Sequence, residues 1–229
     1  MFVGHYGAAL ALKAADRRVS LGLLFLAVQF VDLLFFPFVI TGIERMTLIP
    51  GFAEASHYSL DYMPFTHSLV AGLAWSAFVF AGAWLWLGRD STFNRRGIAA
   101  LVLAAAVFSH WLLDLVSHTP DLPLAGDDTM KLGLGLWNSV TLTLLAEAAL
   151  VLGGLWIYMR ATRPAGDSTA SKMARFGAPA FVGFLIVLNV VHLYGPPPES
   201  LTQAFVMAMV SYAILALIAF RVDRARMRD

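Results

Sequence analysis

Four ionisable residues lie inside stretches that are otherwise apolar: Asp32, His110, Asp114 and Glu147. A charged side chain at the centre of a bilayer costs about 2.5–3.5 kcal/mol on insertion scales, so such groups need partners, protons or a metal. His110, Asp114 and His118 are spaced i, i+4, i+8, which on a helix presents all three on one stripe. Imidazole and carboxylate groups brought together in this way are donors for a divalent metal. His67, in Pro64-Phe65-Thr66-His67-Ser68, opens another apolar run; it reads as a ligand or as part of a helix start capped by Thr66. Asp121 follows Pro120 in a turn-like segment, and His57 and Asp61 form an i, i+4 pair in a polar one. No G-x-S-x-G elbow, P-loop, H-E-x-x-H or dinucleotide fingerprint occurs. The chain has no cysteine, which excludes disulfides, thiolate catalysis and thiolate-ligated metals.

The elements that must position these groups are transmembrane helices. Of 229 residues, 59% are apolar and only 14% charged, well beyond a soluble domain. The net charge of +1 argues against nucleic acid as a partner. Six runs are long enough to span a hydrocarbon layer, near 19–43, 67–88, 97–118, 134–159, 177–195 and 201–221. A short helical segment near 3–16 precedes them. The expected architecture is an all-α polytopic bundle in one integral membrane domain, 1–229. Its first half, about 1–125, carries the chemistry, and helices from 134 to 221 complete the bundle. The stretches 44–66 and 119–133 read as loops, and 161–176 as a Ser/Thr/Gly-rich connector.

Lys13, Arg17 and Arg18; Arg89, Arg95 and Arg96; Arg160, Arg163, Lys172 and Arg175; and Arg221, Arg224, Arg226 and Arg228 fall in alternate loops. The opposite loops hold only Arg45 and Lys131. The positive-inside rule places both termini in the cytoplasm. Counting upward from the cytoplasmic ends puts Asp32, His110 and Glu147 about 20 Å deep. His5 reaches about 18 Å if the N-terminal segment rises beside the first span as a half-hairpin. Separate segments thus deliver a His or a carboxylate to one level. Asp114 and His118 continue upward from His110, and His67 enters from the outer side.

Gly4-His5, Asp32 followed by Pro37, Phe65-Thr66-His67-Ser68, and Ser109-His110-Trp111-Leu112-Leu113-Asp114 occur in that order. This series, across roughly residues 1–125, resembles the bacterial LexA-regulated, membrane-bound, predicted metal-dependent hydrolases. Two departures stand out: the Asp-x-Asp-His-Pro turn of that family is reduced to Asp32…Pro37, and its His-Arg-Gly before Thr66-His67-Ser68 is absent. The His110-x3-Asp114 pattern is also similar to that of zinc-dependent phosphoesterases. The resemblance implies a metal-dependent hydrolase of the bacterial inner membrane. His5, Asp32, His67, His110 and Asp114 would bind the metal, and His118, Asp121, Asp61 and Glu147 would ligate or support. One or two divalent ions are implied, zinc first, then manganese or iron. Glu147 or Asp61 would be the general base, and a lipid phosphoester entering from the outer leaflet the substrate.

Two other readings fit the same residues. A transporter or channel would use the midplane His/Asp/Glu cluster to pass metal or protons. A purely structural protein would use it to hold helices together. Membrane lipids are the expected surroundings under all three, and the sequence sets no oligomeric state.

Overall fold

A computed structural model describes residues 1–86, 93–164 and 172–226. Residues 87–88 of the second expected span, Arg89, Arg228 and the centre of the 161–176 connector lie outside the described residues. The chain is a helical bundle. Among the described residues five helices are long and apolar enough to cross a membrane, or six if a pair bent at a short break counts as one span. Apolar side chains face outward on the flanks, as at Leu101, Val187 and Leu217, each more than 60% exposed. That surface suits a multi-pass membrane protein.

Helix α1, Gly4–Leu12, is nine residues long, so it reaches only about half-way across a bilayer. It is held by α6, Val140–Ala161, through two glycines. A Cβ on Gly7 would lie 2.5 Å from the Leu150 backbone, and one on Gly154 would lie 2.3 Å from the Gly7 carbonyl oxygen. Only glycine permits that approach. Tyr6, Ala9 and Leu10 are buried in the main core, where Tyr6 stacks on Phe25 at 4.4 Å between ring centroids.

The first span is broken into α2, Leu21–Val28, and α3, Phe30–Ile40, bent by 45°. The sequence reading expected one continuous span over 19–43. Ser20 caps α2, accepting from the Leu23 N–H at 3.3 Å. At the break, Gln29 leaves the helical conformation and its side-chain amide donates to the Phe2 carbonyl at 3.4 Å. The break leaves the Val28 carbonyl to accept from His110 Nδ1 at 2.7 Å.

Between α3 and α4, Leu69–Trp86, the chain forms an antiparallel hairpin where a loop was expected: β1, Arg45–Ala53, and β2, Ser56–Tyr62. The missed signal is the run Met46-Thr47-Leu48-Ile49, whose composition favours a strand. The hairpin tip is tied to the start of α6. Ala55 N–H donates to the Trp137 carbonyl at 2.9 Å, and Glu54 accepts from the Val140 N–H at 3.1 Å. After α5, Phe93–Ser117, a small ladder pairs β3, Leu122–Pro123, with β4, Lys131–Leu132. Gly135, at φ +72°, turns the chain so that its N–H reaches the His118 carbonyl at 2.7 Å. Helices α7, Lys172–Tyr194, and α8, Leu201–Arg226, complete the bundle.

Candidate metal centre

Six side chains from five segments meet near one end of the bundle. His5 comes from α1, Asp32 from α3, His67 from the turn before α4, His110 and Asp114 from α5, and His118 from the residue after it. All but Asp32 are at least 96% buried. The contacts are His110 Nε2 to Asp114 Oδ2, 2.9 Å; His5 Nε2 to Asp114 Oδ1, 3.3 Å; and His67 Nε2 to Asp32 Oδ1, 3.4 Å. His110 Nε2 is also 3.6 Å from Asp32 Oδ1, and His118 Nε2 is 3.6 Å from Asp114 Oδ2. Two donors each about 2.1 Å from one ion, at the tetrahedral angle, are about 3.4 Å apart. The observed separations are thus of the size that the edges of a coordination polyhedron would have. Two triads, His5/His110/Asp114 and Asp32/His67/His110, each bring three ligand atoms within 4.8 Å of one another.

The outward nitrogens explain why the inward ones are free. His110 Nδ1 lies 2.7 Å from the Val28 carbonyl, which can only accept, so Nδ1 carries the proton. That carbonyl is the one released at the α2–α3 break. His118 Nδ1 donates to Asp121 Oδ1 at 2.8 Å. Thr66 gives its hydroxyl proton to Glu44 Oε2 at 2.7 Å, so Thr66 Oγ1 accepts from His67 Nδ1 at 2.8 Å. All three rings are thereby fixed in one tautomer, with the Nε2 lone pair aimed at the carboxylates. Metal-binding histidines are held in this way.

His110 Nε2 lies 2.9 Å from a carboxylate oxygen, yet it makes no hydrogen bond, and neither nitrogen of His5 does. A lone pair facing an anionic oxygen at that distance is repulsive unless a cation or a proton lies between them. Two buried carboxylates make the same demand for positive charge. The residues therefore fit a divalent ion in number, element and orientation. The Met1 amino group donates to Asp114 Oδ1 at 2.7 Å and to Ser117 Oγ at 3.0 Å.

Of the residues singled out in the sequence, His5, Asp32, His67, His110, Asp114 and His118 are brought together, and Asp121 stands directly behind His118. Glu147 is adjacent but differently used: Oε2 accepts the Gly4 N–H at 2.8 Å and Oε1 the Phe2 N–H at 3.3 Å, capping α1. Asp61 is not brought in. It is exposed on β2, bound to the hydroxyls of Thr47 at 2.5 Å and Ser59 at 2.6 Å. His57 does not pair with Asp61; its Nδ1 accepts from the Gly51 N–H at 3.1 Å. Ser68, not Thr66, caps α4, its Oγ accepting from Ala71 N–H at 3.0 Å.

Three contributors escaped the sequence reading. Glu44 is fully buried under Thr66; burial pushes its carboxyl above the usual range, against the opposing effect of its hydrogen bonds from Thr66 and Phe65. An acid next to an apolar run was the only clue to it. Val28 acts through its backbone. Tyr212 on α8 donates to Asp32 Oδ2 at 2.8 Å, which leaves Oδ1 for the cluster. Nothing in the pattern of α8 marks that tyrosine. No family model, curated protein or solved structure matches this chain.

Proposed function

We propose that the protein is an intramembrane metal-dependent hydrolase of the bacterial inner membrane, acting on a phosphoester or other lipid-derived bond. The observation that carries this reading is the bare His110 Nε2 lone pair, 2.9 Å from Asp114 Oδ2, inside a ring of histidines already locked for metal binding. A divalent ion held there, zinc in the first instance, acts as a Lewis acid on a phosphoryl or acyl oxygen and lowers the pKa of water toward about 7. His5, Asp32, His67, His110 and Asp114 would hold it, as two triads that share His110, and His118 would ligate or support. The order of motifs that resembles the hydrolase family supports the same reading. Of the two acids expected as general base, Glu147 lines the cavity that reaches Asp114, and Asp61 does not. We assign the general-base role to Glu147, whose Oε1 accepts the long hydrogen bond from the Phe2 N–H at 3.3 Å. The distribution of basic residues puts the termini in the cytoplasm and the cavity on the outer side.

A transport pathway has less support. Beyond the cluster, toward Lys13, the interior is filled by Tyr6, Leu24, Phe25 and Leu185, each at most 1% exposed. Among the described residues the cavity reaches the cluster from the side opposite this packed interior.

The deciding experiment is elemental analysis of the purified protein beside His110→Ala after loading with zinc, manganese or iron, followed by assay on phospholipid and phosphodiester substrates. A stoichiometric metal that is lost in the variant, with hydrolysis lost alongside, is the expected result. Protein that binds no ion, or that moves metal or protons in liposomes without hydrolysis, sinks the proposal.

A further inference from the structure

A cavity of about 720 Å³ leads to the cluster, and its walls change character along its length. At the inner end stand Asp32, His67, Asp114 and His118. Farther out the walls are mainly apolar, formed by Phe36 of α3, Leu188 and Val191 of α7, and Ala204, Ala208 and Met207 of α8. Phe36 stacks on Phe205 and on Tyr212, at 5.0 and 6.2 Å between ring centroids, and so closes α3 against α8. Tyr212 marks the inner end through its bond to Asp32. From Tyr212 back to Ala204 is about 12 Å along the helix, the reach of a medium-length alkyl chain. Ala204 and Ala208 lie one turn apart on the face that lines the cavity, and their small side chains leave the slot its width. Val191 and Met207 line the cavity yet are 61% and 59% exposed, so the mouth opens sideways onto the apolar flank of the bundle.

We infer that this slot receives the alkyl or acyl chain of a membrane amphiphile whose phosphate or ester group lies against the Asp32–His118 cluster. The occupant follows from continuity: walls that are mainly apolar, with Ser211, His192 and Gln203 among them, join an apolar flank to a set of charged donors. A water-soluble substrate would leave the slot walls unused, and burying even a few methylenes there adds affinity. This inference rests on the hydrolase reading for the chemistry at the inner end, though not for the binding.

The test uses the full chain in amphipol, as purified and after zinc loading, with decylphosphonate and methylphosphonate as the probes. Calorimetry of the wild type is expected to show decylphosphonate bound about 100-fold tighter than methylphosphonate. Ala208→Trp and Ala204→Phe, each checked for an unchanged melting temperature and zinc content, should each cut that advantage by roughly tenfold or more. Equal affinity for the two phosphonates in the wild type overturns the inference. So does an undiminished decyl advantage in both folded variants. Chain-dependent binding without cleavage of bis(p-nitrophenyl) phosphate by any metal-loaded form sinks the hydrolase reading and supports the slot. Cleavage of that diester without chain-dependent binding does the reverse.

Discussion

At one end of the bundle Lys13 is buried with its ammonium 2.6 Å from the Val19 carbonyl and 2.7 Å from Asp223 Oδ2. The same Asp223 accepts from the Leu21 N–H at 2.9 Å and the Tyr158 hydroxyl at 3.3 Å. Arg226 donates to Thr162 and Ala174 nearby. At the other end His5 and His110 are buried just as deeply, stacked at 4.0 Å, and their Nε2 atoms have no hydrogen-bond partner. Both clusters are costly to bury, and they answer the cost differently. The Lys13–Asp223 knot closes on itself: cation meets anion and donor meets acceptor. It joins the ends of α1, α2, α6 and α8. In the histidine cluster the outer nitrogens of His67, His110 and His118 are partnered and Asp114 Oδ1 takes the Met1 ammonium, but His5 and the inner Nε2 of His110 are left without hydrogen bonds. A knot that closes serves the fold, whereas one with histidine nitrogens left unpartnered could hold a cation. Burial alone does not separate the two; the direction of the lone pairs does.

That distinction can be broken by mutation. The largest effect is expected at the open cluster: His110→Ala or Asp114→Ala should take metal content from stoichiometric to near background by elemental analysis, while the helical circular dichroism persists. Retention of full metal in both would remove the reason for treating the clusters differently. Next, Asp223→Ala should leave Lys13 uncompensated and cost roughly 3–5 kcal/mol, read as a fall in unfolding midpoint, with metal per folded molecule unchanged. Metal loss in the folded fraction would show that the two ends are coupled. The supporting atoms come third. Thr66→Ala should free the His67 ring and weaken metal affinity by about 10-fold without unfolding the chain. An equal effect on stability and none on metal would make Thr66 part of the fold alone. Smallest of all, Asp61→Asn, on the exposed face of β2, should change stability by less than about 0.5 kcal/mol and leave metal uptake as it was.

How far the site was legible follows from where each residue sits in the chain. His110, Asp114 and His118 share one helix, so their convergence is a matter of helical period and needs no tertiary knowledge. His5 and Asp32 were reached by depth, because a bilayer gives every spanning helix a common ruler. Glu147 was placed at the right height by the same ruler, but height does not say which way a side chain turns, and it turns to cap α1. Asp61 was drawn in as the i, i+4 partner of His57 and by the family resemblance, neither of which fixes where the segment folds. The hairpin folds over the site, and its alternation carries Asp61 to the outer face. Tyr212 was passed over because one hydroxyl among apolar residues has no periodic signature.

The sequence by itself determined that this is a multi-pass helical membrane protein. It also set acids and histidines from separate segments at one depth, where hydrocarbon offers no water to satisfy them. Which atoms meet was decided only by tertiary structure. The break at Gln29 supplies a carbonyl for His110, the glycine contact between α1 and α6 lifts His5 into the bundle, and α8 brings a hydroxyl to Asp32. These are contacts between parts of the chain far apart in sequence, fixed by close packing and by backbone groups that carry no residue identity to read.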